Sequence, residues 1–205
     1  VYKRQDTEHN LWVGLKDGKI RIYDKNRTEL GYFTETGTIS HTGVPLKGNT
    51  YCIFQDSKHN IWIATKGEGL VKARPQGGGH YKLTRYCHSR DDIYSLSDNN
   101  VYCVYEDVKG RIWVATFGGG INYLTHNRGG REIFVNHRNN LKGFPIDNCH
   151  KVRFVTGDHR GNIWIATTVG ALMVNSDFKK PEDAVFHHYV RVQNDVNLSL
   201  IHISE

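Results

Sequence analysis

The sequence predicts an all-β chain that forms part of a β-propeller, and three observations support this prediction. Every tryptophan falls at the same place in a repeat, with spacings of 50, 51 and 51 residues between Trp12, Trp62, Trp113 and Trp164. A fixed period of about 50 residues is typical of repeat architectures such as propeller blades. Residues that favour strands are plentiful, and 21 glycines beside only 4 prolines indicate many tight turns.

Each copy of the repeat begins with an aspartate and reaches its tryptophan six residues later. The four copies read DTEHNLWVGL from Asp6, DSKHNIWIAT from Asp56, DVKGRIWVAT from Asp107 and DHRGNIWIAT from Asp158. An aspartate carboxylate can accept backbone N–H bonds from the residues that follow it, so each copy predicts a turn. The fourth position is His or Gly, and Gly tolerates the positive φ of a hairpin turn. We assign the four Asp and four Trp residues a structural role.

Short apolar segments around each turn predict four strands per repeat. An inner strand precedes the aspartate (50–54, 101–105 and 152–156), the Trp strand follows it, and a glycine-bearing corner leads into a third strand. Residues 81–86 and 131–135 are candidates for outermost strands. Four antiparallel strands joined by turns are typical of a propeller blade, so we expect about four blades of a propeller that has about seven in all. The predicted blades are 6–46 (partial), 47–98, 99–149 and 150–197.

Both ends of the chain depart from the repeat. Lys3 and Arg4 stand where the other copies have apolar inner-strand residues, and 198–205 does not continue the pattern of the preceding link. We therefore expect 1–5 and 198–205 to be non-native ends, and the first blade to lack its inner strand. We also expect the native chain to continue in both directions.

The motif Asp-x-x-Gly-Asn/Arg-Ile-Trp-Val/Ile-Ala-Thr, followed by a glycine-rich corner, resembles the two-component regulator propeller repeat. The link RDDIYSLS (90–97) carries the same resemblance, while Gly14-Leu15 and 168–171 depart from it. The resemblance implies the periplasmic, extracytoplasmic part of an inner-membrane hybrid histidine kinase that responds to an oligosaccharide or polysaccharide fragment. It also implies that the intact receptor is a homodimer. Since the catalytic kinase domain lies outside this segment, the segment itself is expected not to be an enzyme.

Composition and motifs argue against several other classes of function. The formal net charge of +6 is dispersed, which argues against a nucleic-acid partner. The chain has no phosphate-binding loop, no His-Glu-x-x-His zinc motif and no nucleophile elbow. Gly118-Gly119-Gly120 is interpreted as a corner between strands, and the 12 histidines as turn, surface or packing residues. We predict no catalytic residue, no metal and no cofactor.

The four cysteines are interpreted as free thiols. Cys52 and Cys103 occupy the same position in successive inner strands, which predicts small buried side chains in different blades, too far apart to bridge. Cys149 falls in a connecting loop, and Cys87 follows an outer strand. No structural disulfide is expected.

A ligand-binding face is predicted from topology. The corner after the Trp strand and the link into the next inner strand emerge on the same face of a propeller, and their residues vary while the framework repeats. The predicted contacts are Asn49, Lys66, Glu68, Arg90, Asp91, Tyr94, Asn100, Phe117, Lys151 and Thr168. Amides, aromatic rings and cations suit an oligosaccharide, above all an acidic one. For any single residue, unconstrained surface is the competing interpretation.

Two other functions remain open at this point. A secreted propeller enzyme, such as a polysaccharide lyase or glycosidase, would need paired carboxylates or a Tyr or His base near the axis. A protein-interaction scaffold is the other alternative, because fold alone does not define function.

Overall fold

The computed structural model describes residues 2–15 and 17–190, which form four antiparallel sheets. The first sheet contains β1 (Tyr2–Gln5), β2 (Leu11–Gly14), β3 (Ile20–Tyr23), β4 (Glu29–Phe33) and β5 (Ile39–Ser40). The second contains β6 (Asn49–Gln55), β7 (Ile61–Lys66), β8 (Leu70–Gly77) and β9 (His80–Tyr86). The third contains β10 (Val101–Glu106), β11 (Ile112–Thr116), β12 (Gly120–His126) and β13 (Glu132–Val135). The fourth contains β14 (Val152–Gly157), β15 (Asn162–Thr167), β16 (Gly170–Asn175) and β17 (Phe186–Tyr189).

The four sheets are successive blades of a propeller, as the sequence predicts. Within each sheet the strands pair in chain order, and the first strands of neighbouring sheets (β1, β6, β10 and β14) contact one another. These first strands therefore lie nearest the propeller axis. The predicted outermost strands correspond to β9 and β13. The regular helical elements in the described residues are short, namely α1 (Ile146–Cys149) and a 3₁₀ turn (Pro181–Asp183), and no helix described is long and apolar enough to cross a membrane.

The prediction that the first blade lacks its inner strand is wrong. Residues Tyr2–Gln5 form β1 and pair with β2, so that Arg4 stands opposite Trp12. The ladder consists of backbone hydrogen bonds, which do not require apolar side chains. Lys3, Arg4 and Gln5 are exposed, and the Arg4 guanidinium lies over the Phe54 ring at 5.3 Å from its centroid. Whether 1–5 and 198–205 are native stays a prediction, and 198–205 lies outside the described residues.

The hydrophobic core is divided among the spaces between neighbouring blades. One cluster joins Trp12 and Phe33 of the first blade to Ile53 and Ile63 of the second. Equivalent clusters fill the space between the second and third blades, around Trp62, and between the third and fourth, around Trp113. Each sheet in the middle of the chain is therefore covered on both faces, which explains its nearly continuous apolar strands.

At one end of every sheet, an Asp–Trp turn is built in the same way four times. One carboxylate oxygen accepts backbone N–H groups two and four residues on, as with Asp56 and the backbone of Lys58 (3.0 Å) and Asn60 (2.8 Å). The other oxygen accepts the indole N–H of the tryptophan six residues later. These indole bonds are 2.8 Å in the first three blades and 3.0 Å in the fourth.

The fourth residue of each turn adopts a positive φ, as its residue types indicate. The values are 65° at His9, 63° at His59, 73° at Gly110 and 77° at Gly161. Two histidines therefore occupy a conformation that glycine adopts at no steric cost. These histidines are turn residues, as predicted.

Candidate ligand-binding face

At the opposite end of the second and third sheets, glycine-bearing corners bond to the chain that leads into the next blade. The N–H groups of Gly67 and Gly69 both donate to the Asn99 carbonyl, at 3.1 and 3.0 Å. Gly118 and Gly120 repeat this arrangement with the His150 carbonyl, both at 2.9 Å. A Cβ at Gly120 would lie 2.4 Å from the Phe144 ring, and φ is +72° there, so glycine is required at this point. Backbone hydrogen bonds therefore hold each of these two corners against the chain that leads into the next blade.

Three aromatic rings form a row along this face near the axis. Tyr51 in β6 and Tyr102 in β10 occupy equivalent positions, and their ring centroids are 4.5 Å apart. Phe117, in the corner of the third blade, stacks on Tyr102 with centroids 5.0 Å apart and an interplanar angle of 23°. The row therefore crosses from the second blade to the third. Offset stacking of this kind is favourable for aromatic pairs.

Two cations from the fourth blade lie over the end of this row. Lys151 Nζ is 5.6 Å from the Phe117 centroid, and Arg153 Cζ is 5.2 Å from it. Both side chains are exposed, and a backbone bridge between Phe117 and Lys151 joins the third blade to the fourth. Cations at this distance are attracted to the face of an aromatic ring. We refer to Tyr51, Tyr102, Phe117, Lys151 and Arg153 as the axial cluster.

Other predicted contact residues lie around the axial cluster or in the preceding blade. The Asn100 carbonyl accepts the Phe117 N–H at 2.9 Å, and the Thr168 N–H donates to the Lys151 carbonyl at 3.2 Å. Asn49 is paired with Lys66 at the corresponding end of the second blade. The structure thus brings Asn100, Phe117, Lys151 and Thr168 together and places Asn49 and Lys66 at the neighbouring corner.

The predicted residues of the long link lie elsewhere, at the outer edge of the third blade. The Tyr94 carbonyl accepts the Phe134 N–H of β13 at 2.8 Å, and Arg138 donates to the carbonyl of Ser89 at 2.9 Å. Among the described residues, the contacts of Arg90, Asp91 and Tyr94 are with this edge and with their own link. Glu68 pairs with Lys47, Nζ to Oε1 at 3.1 Å. A role of these four residues in binding stays a prediction.

Three members of the axial cluster were missed at the sequence level. Tyr51, Tyr102 and Arg153 each occupy the second position of an inner-strand segment, in TYCIF, VYCVY and VRFVT. Their equal spacing of 51 residues could have identified them, because side chains at one repeat position face the same way in every blade. These three residues lie one position or more inside the inner strands, whereas the predicted contacts lie in the corners, in the links and at the strand starts.

The carboxylate of Asp98 lies close to the axial cluster and accepts hydrogen bonds from its own loop. Asp98 approaches the corner at Gly118, and its Oδ1 accepts the N–H of Asn100 at 2.6 Å and its side-chain amide at 3.0 Å. Burial lowers the pKa of His137, which lies against the corner at Gly119, and the charges of Arg138 and Lys142 lower it further.

The cysteines are free thiols, and two of them are closer than predicted. The thiols of Cys52 and Cys103 interact across the space between the second and third blades. Contact with the Cys52 thiol and burial both raise the pKa of Cys103. Cys149 is buried, with its Sγ 3.8 Å from His188 Nε2. Residues 2–15 and 17–190 contain no group of three or more His, Cys, Asp or Glu side chains that could hold a metal ion.

Comparison with known families confirms the predicted resemblance. The two-component regulator propeller family matches residues 45–67 and 95–118. These segments run from the last residues before β6 to the corner of the second blade, and from the end of the link to the corner of the third. A histidine kinase P4 of Formosa agariphila is 29% identical over 66 residues, which are 32% of this chain and 5% of that protein.

Solved structures show the same fold. The extracellular domain of a putative hybrid two-component system from B. thetaiotaomicron aligns with 93% of this chain at 22% identity and a TM-score of 0.66. A second such domain from that organism aligns over 93% at 22% identity and a TM-score of 0.62. The chain spans 24% of each domain. Virginiamycin B lyase from Staphylococcus aureus aligns with 91% of this chain, and this chain spans 54% of the lyase, at 11% identity and a TM-score of 0.60.

Proposed function

We propose that this chain, which carries two-component regulator propeller repeats, is a ligand-sensing segment in the periplasmic part of a membrane-bound sensor histidine kinase. Its ligand is an oligosaccharide, and its axial face is the binding surface. The axial cluster is the observation that carries the proposal, because three blades contribute side chains to one continuous surface. The matches to the propeller family and to a histidine kinase support the receptor context.

The chemistry of the axial cluster suits a sugar. The half-buried aromatic rings form an apolar surface against which the C–H groups of a sugar ring can pack. Asn100 and Thr168 stand beside the rings and can exchange hydrogen bonds with hydroxyl groups. A few polar groups placed around an apolar contact are typical of small-ligand sites.

A site shared by three blades also provides a route to signalling. A ligand that contacts the second, third and fourth blades at once stabilises one arrangement of those blades over others. If the two kinase states of the receptor differ in this arrangement, the ligand shifts the equilibrium toward the state that it binds more tightly. The size of the shift is set by the difference between its affinities for the two states. In our proposal the intact receptor acts as a homodimer.

The arrangement gives little support to an enzyme. Two carboxylates at the corners of the second and third blades are already engaged, because Asp98 bonds to its own loop and Glu68 pairs with Lys47. Glycoside hydrolysis uses two carboxylates that flank one bond. The likeness to a lyase, at 11% identity, is a likeness of fold.

The test is ligand binding by the chain together with the sequence that flanks it in its gene. Thermal unfolding with a broad glycan panel should identify an oligosaccharide that raises Tm, and calorimetry should then give its Kd. Phe117→Ala should weaken that binding about tenfold, as expected for one lost aromatic contact. Leu30→Ala, an exposed apolar side chain in β4, is the matched control and should leave Kd unchanged.

Three results would overturn parts of the proposal. If no glycan raises Tm, the oligosaccharide assignment fails, and a protein partner becomes the better hypothesis. If a glycan binds but Phe117→Ala is neutral, the axial site is wrong. If the intact receptor in membrane vesicles shows no change of autophosphorylation with that glycan, the sensing role fails.

A further inference from the structure

We propose that the axial cluster selects sugars that carry a carboxylate or sulfate group, and that Lys151 and Arg153 are the specificity-determining residues. This inference rests on the proposed function, since it names the charge of the ligand at the same site. Contact with the aromatic rings does not distinguish neutral from acidic sugars, so the inference adds a selection by charge.

The first argument is the lack of a compensating charge. Within residues 2–15 and 17–190, the contact recorded for Lys151 and Arg153 side chains is with the Phe117 ring, and neither forms an ion pair. Some other surface cations, such as Arg21 and Lys109, pair with carboxylates at 3.2 and 2.6 Å and are not available to a ligand in this way. The two axial cations therefore have no carboxylate partner among the described residues and are available to an anionic group of a ligand.

The second argument is their mutual position. Both cations lie over one ring, at 5.6 and 5.2 Å from its centroid, so the two charges are at most about 11 Å apart. Like charges at such separations repel, although solvent reduces the effect. An anion bound between them relieves this repulsion and gains two charge-assisted hydrogen bonds.

The third argument is the source of the two cations. Lys151 immediately precedes β14 and forms a backbone bridge to Phe117, and Arg153 is the second residue of that strand. The equivalents of Arg153 in the preceding blades are Tyr51 and Tyr102. One repeat position therefore supplies aromatic surface in the second and third blades and positive charge in the fourth, which places the charge at one end of the aromatic row. A chain of sugars lying along the row would meet this charge with one terminal unit.

The experiment compares matched ligands on the chain with its flanking sequence. The probes are an oligogalacturonide and its carboxyl-reduced neutral form, and a chondroitin sulfate oligosaccharide and its desulfated form. We expect the anionic member of at least one pair to bind at least tenfold more tightly, with a Kd that rises with salt. The pair that shows the difference identifies carboxylate or sulfate as the source.

Two variants and a control assign the effect to the cluster. Arg153→Gln and Lys151→Gln should each weaken binding of the anionic ligand about tenfold or more and change binding of its neutral form less than twofold. Lys82→Gln, an exposed lysine of β9, should change neither. An unchanged Tm of all three variants shows that the fold is kept.

The outcomes separate this inference from the proposed function. If neutral and anionic ligands bind equally well, charge selection is wrong while oligosaccharide binding stands. If the anionic ligand is preferred but both variants keep the preference, selection belongs to other residues. If no member of either pair binds while another glycan does, anion selection is wrong, and if no glycan binds at all, the proposed function itself fails.

Discussion

The two ends of each sheet are built by opposite means. At the Asp–Trp turns, side chains make the defining bonds, and the same carboxylate-to-indole bond of 2.8–3.0 Å recurs in all four described blades. At the glycine-bearing corners, backbone groups make the defining bonds, from Gly67 and Gly69 to Asn99 and from Gly118 and Gly120 to His150. A threonine hydroxyl also donates to a corner glycine carbonyl in the second, third and fourth blades, at 2.7–2.8 Å, but the bonds from these corners to the next blade come from backbone groups.

This difference explains where sequence variation is tolerated. A turn that depends on a carboxylate and an indole loses its bonds when either residue changes. A corner that depends on backbone N–H groups keeps its shape whether the neighbouring residue is Lys66, Phe117 or Thr168. Recognition surfaces can therefore change at the corners without loss of the fold, as in other repeat proteins.

Among substitutions that test this difference between the two ends of a sheet, Trp113→Ala is expected to cause the largest loss of stability. This indole is fully buried between the third and fourth blades and contacts Tyr123 at 5.1 Å between centroids. Its removal leaves a cavity and takes one of two donors from the Asp107 Oδ2 atom, which keeps its bond from Arg111 at 2.7 Å, and should lower the free energy of unfolding by about 3–5 kcal/mol. Urea denaturation at 25 °C measures the change. Phe117→Ala should cost less than about 1.5 kcal/mol, and an equal cost for both variants would contradict the comparison.

A smaller effect is expected from Asp56→Asn. The Oδ2 atom of Asp56 accepts both the Trp62 indole N–H and the Asn60 side-chain amide, each at 2.8 Å. An asparagine must direct its own NH₂ group either at these donors or at the backbone donors on the other side. We expect a loss of about 1.5–3 kcal/mol, the range for hydrogen bonds to a charged group.

The control for Asp56→Asn lies at the other end of the same blade. Lys66→Gln changes an exposed corner residue and should alter stability by less than about 0.5 kcal/mol. If Lys66→Gln proved as costly as Asp56→Asn, side chains would be defining the corners too.

The smallest effect is expected from His9→Gly, and its sign is opposite. His9 has a φ of 65°, a conformation that costs a non-glycine residue about 1 kcal/mol. Glycine removes this strain but loses more chain entropy on folding, so a net gain of about 0.5 kcal/mol, or about 1–2 °C in Tm, is expected. Gly110→His in the third blade should show the reverse, and a fall in Tm for His9→Gly would indicate that the histidine contributes a stabilising contact.

Much of the fold could be predicted because its defining contacts are close in sequence. The Asp–Trp bond spans six residues, and each hairpin joins neighbouring strands, so the repeat itself reveals both. Strand β1 could not be predicted from Lys3 and Arg4, because its pairing with β2 is a matter of backbone bonds. The short β5, which pairs with β4, likewise has no signal in the repeat.

The candidate site was predicted less completely, for a geometric reason. Topology correctly places Phe117 and Lys151 side by side, because a corner and the next link share a face. The position of Tyr94 depends on how a long link folds back on β13, and that path is set by hydrogen bonds to Phe134 and Asn139. The approach of Tyr51 to Tyr102, and of Cys52 to Cys103, depends on the distance between blades near the axis, which no single repeat contains.

The division of the core between blades has a consequence for how such a chain can evolve. Trp62 completes its packing with Val104 and Phe134 of the following repeat, so one repeat encodes part of the hydrophobic cluster and the next repeat encodes the rest. Duplication or deletion of genetic material preserves packing when both breakpoints fall at the same position of the repeat. Each new junction then joins two complementary halves, and blades are gained or lost in whole numbers. Recombination at unmatched positions would set two unrelated surfaces against each other and would be eliminated by misfolding.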